Sequence, residues 1–279
     1  IRGRLSFSDL ILNSAKNTYN HFTYSYSRFK SSLKGGDLNR FIVNTDPRTL
    51  VLDTTYVCNL TCKMCHQNSP DYKIPEQPHI PVDYVKSILN IAKNSKTIYL
   101  LGYGEPFMHP NMYEIIKMLK DNCPNARVET TTNGVLFNER NIKKLIDSRI
   151  DMISVSMDGP NLERGHLESE KTYKNLRRLS QVKKEMKIDY PKITIGFILG
   201  NDNKDELIPI IEFAKEIDAN NVTVDALRIV APQDEWDDYI IKNDPYKHQS
   251  SVVPILKKAK KLAESYSIKI NLPFISDLS

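Results

Sequence analysis

Apolar positions along the 279-residue chain fall into two alternating kinds of segment. Short apolar runs at 49–55, 97–101, 126–132, 151–157, 192–198 and 222–228 have the length and composition of strands. Between them, at 82–94, 110–121, 138–148, 170–187 and 204–217, apolar residues recur every three or four positions, as on one face of a helix, and 252–266 repeats the pattern. Ser267 to Pro273 reads as another strand. Six strand–helix units at this spacing predict one α/β domain built on a parallel sheet with right-handed crossovers. Periodicity alone admits either an open barrel or a doubly wound sheet.

A different pattern precedes the first strand. Leu12, Ala15, Tyr19, Phe22, Tyr26, Phe29 and Leu33 recur at alternating steps of three and four, which predicts an amphipathic helix ending at Ser31-Ser32-Leu33-Lys34-Gly35-Gly36. The organisation expected is an N-terminal helical extension over 1–40, a core over 41–230, and a C-terminal helix and strand over 231–279. Residues 1–40 hold seven Arg or Lys against two Asp, an excess equal to the formal net charge of +5 for the whole chain. The core is therefore near neutral. Residues 8–34 suit packing on the core, a protein partner or an anionic membrane surface. Nucleic acid is not expected, since the basic footprint does not extend over the core. The chain has no apolar run long enough to cross a bilayer and no signal-peptide core near its first residue, so the default expectation is a cytoplasmic enzyme, with association at a membrane surface as the variant.

The chemistry is concentrated in the cysteines. Three of the four stand in Cys58-Asn-Leu-Thr-Cys62-Lys-Met-Cys65, just after the first strand-like run. Three thiolates on one short loop suit a soft iron site, in which an iron without a protein ligand stays open to a reactant. A structural zinc site would need a fourth ligand from His66, a distant His or Cys123, and would make the chain a zinc-binding interaction module recruited through its basic helix. Disulfides fit the count but not an intracellular setting.

Four further motifs follow, each after a strand: Gly102-Tyr103-Gly104-Glu105-Pro106, Thr132-Asn133-Gly134, Ser156-Met157-Asp158-Gly159-Pro160, and Ile195-Gly196-Phe197-Ile198-Leu199-Gly200-Asn201. In this order, with the C-x3-C-x2-C loop, they resemble the radical S-adenosylmethionine (SAM) superfamily over about residues 48–230. The resemblance implies a partial barrel of six parallel strands with the site at the C-terminal strand ends. It also suggests the SPASM or twitch group, whose cysteine-rich C-terminal extension has no cysteines in this chain. Two positions depart from the family pattern. Met64 stands where an aromatic residue usually precedes the third cysteine, and Tyr103 replaces the first Gly of Gly-Gly-Glu-Pro.

By resemblance, Cys58, Cys62 and Cys65 bind a 4Fe-4S cluster whose fourth iron chelates SAM. The resemblance further implies reductive cleavage of SAM to a 5'-deoxyadenosyl radical, which takes hydrogen from a peptide, protein or small-molecule substrate. The electron would come from a reduced flavodoxin- or ferredoxin-like donor. Cofactor contacts are expected from Met64 (adenine), Gly104, Glu105 and Pro106 (the SAM amino group), and Thr132, Asn133 and Ser156 (ribose or methionine). Arg177 is expected at the SAM carboxylate, with Arg178 as its competitor. Tyr103, Asp225 and Arg228 are candidate substrate contacts. His109 is expected to shape a helix entry, Asp158 to fix its own loop, and Cys123 to be a half-buried thiol. The acidic stretch Gln233-Asp234-Glu235-Trp236-Asp237-Asp238 reads as a lid or a solvated loop.

Overall fold

The computed structural model describes residues 47–62, 64, 65, 67, 72–159, 169–228 and 234–273. The amphipathic stripe of the N-terminal extension and His66 lie outside the described residues. Seven parallel strands form one sheet: β1 (Thr49–Asp53), β2 (Thr97–Leu101), β3 (Arg127–Thr132), β4 (Met152–Ser156), β5 (Lys192–Leu199), β6 (Asn221–Ala226) and β7 (Lys269–Asn271). They lie side by side in sequence order, with β1 and β7 at the two edges among the described residues. A doubly wound sheet would reverse direction part-way, so the fold is an open α/β barrel. The sheet runs to seven strands rather than six, because the Ser267–Pro273 run adds β7 to β6 in register Asn221↔Lys269.

The helices among the described residues are α1 (Val82–Ser87), α2 (Leu89–Ala92), α3 (Met112–Asn122), α4 (Glu139–Ser148), α5 (Ser169–Met186), α6 (Leu207–Glu216), α7 (Asp234–Asn243) and α8 (Gln249–Ser265). Right-handed crossovers in a sheet of sequential order place helices on one face. That face is apolar: Ile98 and Leu100 of β2, Ile153 and Val155 of β4, and Ile193, Ile195, Phe197 and Leu199 of β5 are buried in one core. Alternate residues of the same strands point the other way. Tyr99, Thr131, Ser154, Ser156, Thr223 and Asp225 therefore give the opposite face a polar lining. On the helix side, Ile115, Ile116 and Leu119 of α3, Ile142, Leu145 and Ile146 of α4, and Ile210, Ile211 and Ala214 of α6 supply the complementary stripes.

Two elements differ from the periodicity. The stretch 82–94 is two short helices, because the chain tightens around Ile88 into three-residue hydrogen-bonded turns, from Ile88 N to Val85 O and Ile91 N to Ile88 O. The acidic stretch after residue 233 opens helix α7 rather than forming a loop. α8 and β7 complete the same sheet-and-helix unit, α8 burying Val252, Leu256, Ala259 and Ala263 in the common core.

Candidate active site at the strand ends

The cysteine loop leaves β1 through Thr54-Thr55-Tyr56-Val57, and this segment is held from both sides by backbone hydrogen bonds. On one side, Tyr56 N donates to Pro78 O and Ile80 N to Thr54 O, at 2.8 and 2.9 Å. The Thr55 hydroxyl meets His79 Nδ1 at 2.8 Å. On the other side, Gly104 N donates to Thr55 O at 2.9 Å and Glu105 N to Val57 O at 2.8 Å. This stitching requires glycine. A Cβ at Gly104 would lie 2.2 Å from Val57 O, and Gly102 adopts φ +144° with an added Cβ 2.6 Å from Thr55 O. With the turn supplied by these two glycines, Tyr103 is free to differ from the family pattern. Its exposed ring stacks on Tyr56 with centroids 5.9 Å apart, beside Tyr72.

Cys58, Cys62 and Cys65 are half-buried thiols, none of them in a disulfide among the described residues. Cys65 N donates to Cys62 O at 2.9 Å, closing the turn that contains Met64, and Leu60 N lies 3.5 Å from Cys58 Sγ. Burial pushes the Cys62 thiol up to about 12, with Cys65, Cys58 and Asp158 adding to the effect. Burial likewise raises Cys58, partly offset by the Leu60 N–H. Charge on a neighbouring cysteine thus disfavours charge on Cys58 and on Cys62, which a cationic centre relieves. Among the described residues, no three His, Cys, Asp or Glu side chains converge on one point as a single metal ion needs. The ligands of an iron–sulfur cluster take separate irons and need no such convergence, so this donor set fits a cluster.

Glu105 is the buried centre of the neighbouring motif, 3% exposed. It accepts from the Thr132 hydroxyl at 2.7 Å, from Asn133 N at 2.7 Å and from Phe107 N at 3.2 Å. Burial raises its pKa to about 7, and the three hydrogen bonds restrain the shift. Pro106 begins the three-residue 3₁₀ turn that Glu105 caps. The end of β3 is therefore tied to the end of β2 through one carboxylate. α5 grips the next turn: the Thr172 hydroxyl donates to Asn133 O, and Asn175 Nδ2 to Gly134 O and Val135 O, all at 2.9 Å.

Ser156 ends β4 opposite Gly196 of β5. Asp158 is buried and accepts from Ile198 N at 2.6 Å, while its carbonyl takes the Asn203 amide at 3.0 Å. It thereby fixes β5 and the loop beyond, not its own loop alone. His109 accepts from Asn111 N through Nδ1, so Nε2 carries the proton and donates to Ile80 O at 2.9 Å; burial lowers its pKa, and it shapes the helix entry as expected. Cys123 is fully buried rather than half-buried. Asp225 and Arg228 are exposed at the end of β6.

Arg177 is not brought to these residues. It forms a two-point ion pair with Glu216 of α6 and lies over the Phe213 ring at 5.1 Å, within the helix layer. Arg178 pairs with Glu139 of α4. The sequence reading assigned no role to Asn59, yet its side chain meets Asn133 at 2.9 Å. Its place directly after Cys58 was the available signal.

A model of the Radical SAM superfamily matches residues 52–214, more than half of the chain. The chain belongs to the radical SAM superfamily. This is a family of enzymes that use a 4Fe-4S cluster and SAM. Among curated relatives, the chain is 24% identical over 233 residues to the tungsten-containing aldehyde ferredoxin oxidoreductase cofactor-modifying protein of Pyrococcus furiosus, covering 81% of this chain and 62% of that protein. It is 29% identical over 182 residues to the AdoMet-dependent heme synthase of Methanosarcina barkeri, covering 62% and 48%. It is 30% identical over 189 residues to the probable GTP 3',8-cyclase of Methanocaldococcus jannaschii, covering 62% and 56%. The chain thus spans about half to three-fifths of the length of these relatives. Among solved structures, SuiB of Streptococcus suis bound to S-adenosylmethionine matches with TM-score 0.60 at 15% identity, over 98% of this chain and 54% of that one. The structure of anSMEcpe with bound AdoMet matches with TM-score 0.57 at 17% identity, over 80% and 63%. These likenesses show a shared fold.

Proposed function

We propose that this radical SAM enzyme holds its 4Fe-4S cluster on Cys58, Cys62 and Cys65 and seats SAM across the ends of β1 to β4. When bound, the pair supplies a 5'-deoxyadenosyl radical that removes hydrogen from a peptide, protein or small-molecule substrate. The observation that supports this reading is the stitching of three motifs into one unit: the cysteine loop to Gly104 and Glu105 by backbone bonds, and Glu105 to Thr132 and Asn133 by its two carboxylate oxygens.

In this arrangement Glu105 accepts the amino group of SAM, oriented by Thr132 and the Asn133 N–H. Gly104 lets the backbone approach the cysteine loop, and Pro106 ends the turn. Asn133 and Ser156 offer polar atoms to ribose or methionine, and the Met64 turn lies beside the adenine. Arg177 is left out of this set because Glu216 already holds its guanidinium. Tyr103, Asp225 and Arg228 lie at strand ends where a substrate would enter. A reduced flavodoxin- or ferredoxin-like protein supplies the electron, in a cytoplasmic setting. Residues 8–34 serve as the attachment for a partner or membrane surface.

The test is anaerobic reconstitution with iron and sulfide, followed by reduction, addition of SAM and assay of 5'-deoxyadenosine. The native chain is expected to bind iron and form product, and Cys62→Ala to form none. Bound zinc with no product from the native chain would sink this reading in favour of an interaction module.

A further inference from the structure

One hydrogen bond at the strand ends joins residues 74 positions apart: Asn133 Nδ2 donates to Asn59 Oδ1 at 2.9 Å. Its direction is fixed by a second bond. Asn133 Oδ1 accepts from Val135 N at 3.0 Å, so the NH2 side of the amide must face Asn59. Asn133 is also anchored through its backbone, its N–H on Glu105 Oε2 and its carbonyl accepting from the Thr172 hydroxyl. Asn59 lies one residue from Cys58, whose sulfur faces Leu60 N. A continuous chain of contacts therefore runs from the cluster loop through Asn59 and Asn133 to the buried Glu105 carboxylate.

We propose that Asn59 is a positioning residue that sets the cysteine loop against the Glu105 seat by holding the Asn133 amide. This rests on the radical SAM reading above. Neither asparagine binds iron in it. Asn59 occupies one N–H of the Asn133 amide and so aims the other, which remains available to the ligand. Removing the acceptor leaves every iron ligand in place but frees the loop to shift relative to Glu105. The consequence is weaker SAM binding at unchanged cluster content.

The bond can be tested by exchanging donors and acceptors. Asn59→Asp keeps the acceptor. Asn133→Asp keeps the acceptor for Val135 N, and Asn59 can turn its own amide to donate to it. Asn59→Asp combined with Asn133→Asp leaves two carboxylates facing each other with no donor, and Asn59→Ala removes one partner. Each variant is reconstituted anaerobically as the full chain, its iron counted, and SAM titrated against the EPR signal of the reduced cluster. Asn59→Ala should bind SAM roughly three- to tenfold more weakly, the range expected for one net hydrogen bond. Asn59→Asp should stay within about twofold of the native chain; Asn133→Asp takes away the amide N–H offered to the ligand and so weakens SAM binding by itself, and the double variant should weaken it further than the two single changes combined. All variants should carry native iron. Native SAM affinity in Asn59→Ala, additive Asp effects, or iron loss in Asn59→Ala would each overturn the positioning role. A native chain that binds no iron, or whose signal ignores SAM, would overturn the underlying reading instead, and that result is visible without any variant.

Discussion

Glu105 stands in a setting that a sequence motif cannot convey. Its carboxyl is buried and raised from 4.5 to about 7, with its hydrogen bonds working against the shift. The sign of the consequence follows from linkage. The folded state holds this proton up to about pH 7, whereas the unfolded chain releases it near the ordinary carboxylate value, so the group's contribution to stability is full at low pH and falls as pH rises toward 7. Above about pH 7 it is flat. In urea unfolding of the metal-free chain between about pH 5 and 8, the native protein minus Glu105→Gln difference should decline with rising pH and level off near 7. A difference independent of pH would show that Glu105 titrates normally. The motif pointed to Glu105, Thr132 and Asn133 separately; that Thr132 and Asn133 are the partners of Glu105 depends on where the ends of β2 and β3 fall in register. Gly104 is similar: the sequence marked it, but the need for it comes from Val57 O lying where its side chain would be.

Among the elements, β4 and β5 show how strand ends are tied together above the sheet. Asp158, just past β4, accepts from Ile198 N inside β5, and Asn203 links both segments through Asp158 O and Ile198 O. Replacing Asp158 by Ala removes a part-buried hydrogen bond to Ile198 N and should cost about 1–3 kcal/mol, measured as a shift in the urea midpoint. Asp158→Asn, which keeps an acceptor oxygen, should recover most of that loss. Strands and most helices were legible in advance because their periodicities are local. The break at Ile88 was not, since 82–94 keeps a helical spacing of apolar residues through it. Arg177 shows the opposite limit. Its position after the Ser156 strand suggested a ligand contact, but the side chain turns toward Glu216 on the next helix, a partner 39 residues away.

For the molecule as a whole, stability resides in the layer between the sheet and its helices. Phe197, fully buried toward the C-terminal end of β5, joins that core, while Met186 at the end of α5 is 53% exposed. Phe197→Ala should destabilise by roughly 3–5 kcal/mol in thermal or urea unfolding. Met186→Gln should stay within about 0.5 kcal/mol, and comparable effects at the two sites would mean that the core is not where this architecture puts it. The sequence by itself determined the alternation of strand and helix, the parallel sheet, the cysteine loop and the order of motifs at the strand ends, because each is written in residues that are neighbours along the chain. Only the tertiary structure decided the sequential strand order, the register that joins the Ser267–Pro273 run to β6, the pairing of Arg177 with Glu216, and the contact of Asn59 with Asn133. Those depend on which atoms meet when distant segments are brought into register, and a hydrogen bond between residues 74 apart leaves no local pattern by which to read it.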